Sequence, residues 1–188
     1  MRRRQRSGTG GGDGLAARDV LRYEEVAQIT LVDLDPRIIE LCSTHPEIAA
    51  LNEGSLTDPR VQVVTQDGYK FVEHAGRRFD VVIIDLPDPN HATLSKLYSV
   101  EFYRLVARAL NPGGAVVTQS TSPFFARAAF WSIHRTLEAA GLHVSAYHTN
   151  VPSLGDWGFN LATDRPIDVS TLRVDVETLF LTEEQMPA

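Results

Sequence analysis

Apolar and polar positions alternate along the chain in two kinds of block. Short continuous apolar runs, of which Val81-Val82-Ile83-Ile84 is the plainest, read as strands buried on both faces. Runs of this type predict strands at 29–33, 61–65, 81–85 and 115–119. The longer blocks between them predict helices over 15–23, 36–52, 69–73, 100–110 and 124–140, the second opening on Pro36, a residue suited to a first helical turn. Residues 143–148 and 159–162 read as a closing antiparallel pair. A regular βαβ alternation of this kind predicts an α/β fold, a mostly parallel sheet with helices on both faces.

Composition narrows the class. With 188 residues, 43% hydrophobic and 22% charged, the chain fits one globular domain with a sizeable core. No apolar run reaches the length of a membrane span, and Arg2, Arg3, Arg4 and Arg6 are not followed by the apolar stretch of a secretory signal. The single Cys42 excludes an internal disulfide and fits a reducing cytoplasm. Net charge is −6, but those four arginines mask a more acidic remainder, in which 14 basic side chains face 24 acidic ones. Such a surface disfavours nucleic acid and favours small cations.

Four constellations bear on chemistry. Gly10-Gly11-Gly12-Asp13-Gly14 lets backbone approach a ligand closely ahead of a helix. Asp13 argues against a phosphate cradle there, since its charge repels phosphate; an ammonium or sulfonium ligand and a plain turn with a capping aspartate both remain open. Val32-Asp33-Leu34-Asp35 ends the next strand about 20 residues on, where an acid commonly accepts ribose hydroxyls; Asp35 fits the N-cap of the following helix. Gln66-Asp67-Gly68 follows the third strand and suits a purine amine, with Gly68 leaving room for the ring, although alone it is an ordinary turn. Asp85-Leu86-Pro87-Asp88-Pro89 sets two carboxylates on a proline-stiffened loop at the end of the fourth strand, an arrangement suited to amines. The histidines lack metal-ligand spacing, so no metal is expected.

Taken in order with Asp58-Pro59-Arg60-Val61, these motifs resemble the polyamine aminopropyltransferases, the spermidine synthase family, over residues 10–163. The resemblance implies a Rossmann-like, class I methyltransferase-type sheet. It also implies transfer of an aminopropyl group from decarboxylated S-adenosylmethionine to putrescine or a related polyamine, releasing methylthioadenosine. Carried onto matching positions, Gly10, Gly12 and Gly68 would lie against the nucleoside and Asp13 would hold the aminopropyl amine. Asp33 would take the ribose, Asp67 the adenine amine, Asp85 the nucleophile's proton and Asp88 the polyamine, with Gln119 near the substrate amine. The segments 97–103 and 121–125 look most like bacterial members fused to membrane segments, so this chain is similar to their cytoplasmic catalytic part.

The chain also departs from the family. Residues 1–9 are basic and polar where the family has an apolar strand, so a disordered start and a missing first strand are expected, as is the lack of the small N-terminal β domain. The gap at the sheet centre predicts self-association into a homo-oligomer. The tyrosine often found near the Val151-Pro152-Ser153 turn is replaced by Leu154, with Trp157 nearby. Two other classes share part of the pattern: an S-adenosylmethionine-dependent methyltransferase, whose cofactor carboxylate Asp13 should repel, and a non-catalytic nucleoside-binding domain.

Overall fold

The structure, a computed structural model, describes residues 4–9, 11–89 and 91–178. Seven strands, β1 (Arg4–Thr9), β2 (Val26–Asp33), β3 (Val61–Thr65), β4 (Phe79–Ile84), β5 (Leu110–Gln119), β6 (His143–Val151) and β7 (Gly155–Thr163), form one sheet in the order β3-β2-β1-β4-β5-β7-β6. The first five are parallel, and β7 runs antiparallel between β5 and β6. This is the mostly parallel sheet with a closing antiparallel pair that the segment pattern predicts.

The start of the chain corrects one expectation. Residues 4–9 are not a disordered lead but the central strand, paired with β2 from Arg4 to Thr9 on one side and with β4 from Arg6 to Thr9 on the other. The reason is a demand of the neighbours. Between β2 and β4 lies a slot whose backbone donors and acceptors need a strand to satisfy them, and tertiary pairing outweighs the poor strand propensity of Arg-Gln-Arg-Ser-Gly-Thr. With that slot filled, the argument from a gap at the sheet centre to self-association loses its basis. Residues 1–3 lie outside the described residues.

Helices cover both faces. They are α1 (Leu15–Leu21), α2 (Pro36–Thr44), α3 (Pro46–Leu51), α4 (Gly68–Glu73), α5 (Ala92–Ser95), α6 (Val100–Ala109) and α7 (Arg127–Ala139). The single helix expected over 36–52 is two, because Pro46 drives His45 into an extended conformation. The Asp35 side chain accepts from Arg37 N at 2.9 Å and caps α2; Ser99 does the same for α6 through Phe102 N.

The larger core packs α6 and α7 against β4 and β5, with Phe102, Tyr103, Val106, Val116 and Leu137 fully buried. Burial of a side chain such as Phe102 or Leu137 contributes about 2–3 kcal/mol each. On α1 and α2, Ala17 and Cys42 meet Leu31 and Leu56 in a smaller cluster. The sheet is thereby clamped from both sides, and its carboxyl edge is left to loops. Among the described residues, no helix is long and apolar enough to cross a membrane.

Candidate active site

Strand register brings the candidate acids together. Thr9 pairs with Val32 of β2 and with Ile84 of β4, and Ile84 pairs in turn with Thr118 of β5. The next residues, Asp33, Asp85 and Gln119, therefore leave the sheet at one level of its carboxyl edge. Asp33 and Asp85 stand on either side of β1, two strand spacings or roughly 10 Å apart. Thr65 pairs with Asp33, so Asp67, two residues further on, joins the same edge. Open α/β sheets bind ligands at this place. Gly10 lies outside the described residues.

The glycine loop is tied to Asp33. Gly12 N–H donates to Asp33 Oδ2 at 2.9 Å, and Asp35 N–H donates to Oδ1 at 2.9 Å. Both carboxylate oxygens are thus oriented by backbone, and the half-buried carboxylate keeps lone pairs for a ligand. Gly14, at φ +79°, is required by position as well as by angle, since a Cβ there would sit 2.6 Å from Ser55 Oγ. Asp13 itself is exposed, and its Oδ1 accepts from Leu15 N at 3.0 Å.

Two residues that sequence reasoning missed hold this loop from beneath. Asn52, 1% exposed, donates through Nδ2 to the carbonyls of Asp13 and Cys42, both at 2.9 Å, while its Oδ1 accepts from Gly54 N. Ser55 Oγ donates to Gly14 O at 2.7 Å. The available signal was weak: an Asn two residues before a glycine, in a segment that reads as a helix end.

The Asp85–Asp88 loop rests on a buried polar hub. Gln119 Nε2 lies 2.6 Å from Leu86 O, 3.0 Å from Tyr98 Oη and 3.1 Å from Asp88 Oδ1, its two N–H bonds shared among the three acceptors. The single Tyr98 O–H is shared between Leu86 O and Pro87 O, at 3.0 and 3.2 Å. Gln119 is 4% exposed, with its amide group committed to protein partners. Asp88 is half-buried against that amide. Asp85 is exposed at the edge, yet the protein around it displaces enough water to push its carboxyl pKa up, and the negative charge of Asp13 adds to the rise. Burial likewise pushes the Tyr98 hydroxyl up, so it stays protonated as a donor.

Asp67 caps α4 by accepting from Lys70 N at 3.0 Å, and its Oδ2 lies 3.7 Å from Lys96 Nζ. Gly68 is the first residue of that helix. Leu34, beside Asp33, is 70% exposed, an apolar side chain left at the ligand edge. Two surface grooves, one along α7 at Trp131 and Arg135 and one beside Arg22 and Glu177, contain none of these acids.

The family model described as the spermine/spermidine synthase domain matches residues 9–170. A polyamine aminopropyltransferase of Oceanobacillus iheyensis is 45% identical over 179 residues, covering 95% of this chain and 35% of the relative. Polyamine aminopropyltransferase 1 of Streptomyces coelicolor is 52% identical over 153 residues, covering 81% of this chain and 29% of the relative. The chain therefore spans about a third of the length of these curated relatives. Among solved structures, a spermidine synthase in complex with the transition-state analogue AdoDATO matches with a TM-score of 0.79 at 26% identity, over 94% of this chain and 62% of that one. The spermidine synthase of Thermotoga maritima matches with a TM-score of 0.77, also at 26% identity, over 95% of this chain and 62% of that one. With one family model spanning most of its length and relatives this similar, the chain belongs to the spermine/spermidine synthase family.

Proposed function

We propose that this domain transfers an aminopropyl group from decarboxylated S-adenosylmethionine to putrescine or a related polyamine, releasing methylthioadenosine. The observation that carries the reading is the level row of Asp33, Asp85 and Gln119 across β2, β4 and β5, with two further acids, Asp13 and Asp88, beside it. A dication needs carboxylates along its length, and a nucleoside needs one at its ribose.

In this reading Asp33 accepts the ribose hydroxyls and Leu34 offers an apolar face beside them. Asp67 accepts the adenine amine in competition with Lys96, with Gly68 giving the ring room. Gly12 lines the nucleoside, and Asp13 holds the aminopropyl ammonium. Asp88 holds the polyamine. The attacking amine must first be neutral, because an ammonium has no lone pair. Asp85 takes that proton, and its raised pKa brings it closer to the value a base needs near neutral pH. The amine nitrogen then bonds to the aminopropyl carbon next to sulfur while the carbon–sulfur bond breaks and its electron pair leaves on sulfur as a neutral thioether. Alignment of nitrogen and carbon supplies most of the remaining acceleration.

The pair of acids at Asp13 and Asp85 disfavours the methyltransferase alternative, since the carboxylate of intact S-adenosylmethionine would enter a negative field. The free, buried Cys42 fits a reducing compartment, and we place the domain on the cytoplasmic side, in a longer parent protein with a membrane segment. Titration calorimetry with methylthioadenosine, decarboxylated S-adenosylmethionine and the intact cofactor tests the reading. Binding of the first two and at least tenfold weaker binding of the third are expected; preference for the intact cofactor would overturn it.

A further inference from the structure

We propose that Tyr98 and Trp157 are positioning residues for the amine-holding loop, Trp157 through the orientation of the Gln119 amide and Tyr98 by donating to the loop's own carbonyls. The inference rests on the aminopropyl-transfer reading, because it concerns how that site holds an amine.

Gln119 Oε1 accepts from two donors, Thr121 N at 2.9 Å and Trp157 Nε1 at 3.1 Å. An amide nitrogen in that place would face two N–H groups with nothing to accept them, so only the oxygen fits there. The NH2 group is consequently aimed at Leu86 O, Tyr98 Oη and Asp88 Oδ1. Rotating the amide by half a turn would set its oxygen against the Leu86 carbonyl and the Asp88 carboxylate, two acceptors that repel it. The indole N–H of Trp157, on β7, therefore helps decide where the Asp88 carboxylate stands, on the loop after β4.

The loop needs this support. Pro87 and Pro89 have no N–H, so the loop has few backbone donors with which to hold itself. Its Leu86 and Pro87 carbonyls accept instead from Tyr98, which is 6% exposed. A dry, satisfied network of this kind is sensitive to the loss of one member. Among the described residues, the nucleoside side of the site, at Gly12 and Asp33, shares no hydrogen bond with it.

The test uses Tyr98→Phe and Trp157→Phe, which keep an aromatic ring and remove one donor each. Calorimetry measures methylthioadenosine alone, then putrescine in its presence, for the unmutated chain and both variants. Each variant should weaken putrescine binding roughly tenfold, the scale of one lost hydrogen bond in a buried network, and leave methylthioadenosine within about twofold. Unchanged putrescine affinity in both variants overturns the positioning role while the aminopropyl reading stands. Parallel loss of both ligands with a lowered thermal midpoint also overturns it, since the residues would then only support the fold. An unmutated chain that binds methylthioadenosine but no diamine overturns the transfer reading, and this inference with it.

Discussion

Gly12 and Asp33, 21 residues apart in sequence, are joined by a hydrogen bond from the glycine N–H to Asp33 Oδ2 at 2.9 Å. The contact is so close that a Cβ on residue 12 would lie 2.8 Å from that oxygen and 2.9 Å from the carboxylate carbon. The glycine loop and the acid at the end of β2 are thus one unit. The loop sets where the carboxylate points, and the carboxylate holds the loop against the sheet.

Gly12→Ala should therefore displace Asp33. We expect a loss of about 1–3 kcal/mol in stability, the scale of forcing a methyl into a packed site. Methylthioadenosine binding should weaken by tenfold or more, with putrescine binding affected less. Calorimetry and thermal unfolding on the same samples check both.

Asp85→Asn keeps the shape of the side chain and removes the proton acceptor. Aminopropyl transfer should fall ~10²-fold or more, the usual scale of a lost general base, with methylthioadenosine affinity little changed. Single-turnover transfer measured beside nucleoside binding separates the two effects. Transfer at the unmutated rate would sink the assignment.

The raised pKa of Asp85 has two consequences for pH. A base works when deprotonated, so transfer should decline on acidification through a midpoint above the ordinary aspartate value. Asp13→Asn removes a like charge and should move that midpoint to lower pH at saturating substrate. For stability the sign is opposite to that of an ion-paired acid. Between the ordinary and the raised value the folded state holds more protons than the unfolded one, so Asp85 lowers stability progressively as pH rises through that window. Asp85→Asn should thus stabilise the fold at neutral pH and lose that advantage below the ordinary aspartate pKa. Denaturant titrations at several pH values measure this.

Asn52→Ala removes two donors, one from the part-buried carbonyl of Asp13 and one from the buried carbonyl of Cys42. Leaving such groups unsatisfied costs about 1–3 kcal/mol. Because Asp13 sits on the released loop, nucleoside and aminopropyl binding should weaken together. Chemical denaturation and calorimetry on Asn52→Ala and Ser55→Ala check the prediction; a destabilised variant with unchanged affinity would show that the loop holds its shape without them.

What the chain reveals by local pattern and what it does not divide along a physical line. Buried parallel strands must be apolar on both faces, so β4 stands out in the linear sequence, and the acids that follow β2 and β4 mark the carboxyl edge without coordinates. The motif order around Asp33, Asp67 and Asp85 was legible for the same reason, since each follows a local strand signal, and Gly12 was marked by its own run of glycines. The strand over residues 4–9 was not, because it carries almost no strand propensity of its own and exists through backbone pairing offered by β2 and β4. The break at Pro46 was a local signal that the helical pattern around it obscured. The hub was beyond sequence reading altogether. Gln119, Tyr98 and Trp157 come from a strand end, a turn before α6 and the hairpin strand β7, and only the folded sheet brings their polar atoms within hydrogen-bonding distance. Hydrophobic periodicity determines which segments become strands and helices. Hydrogen-bond partners between distant segments depend on register and loop course, which tertiary packing alone decides.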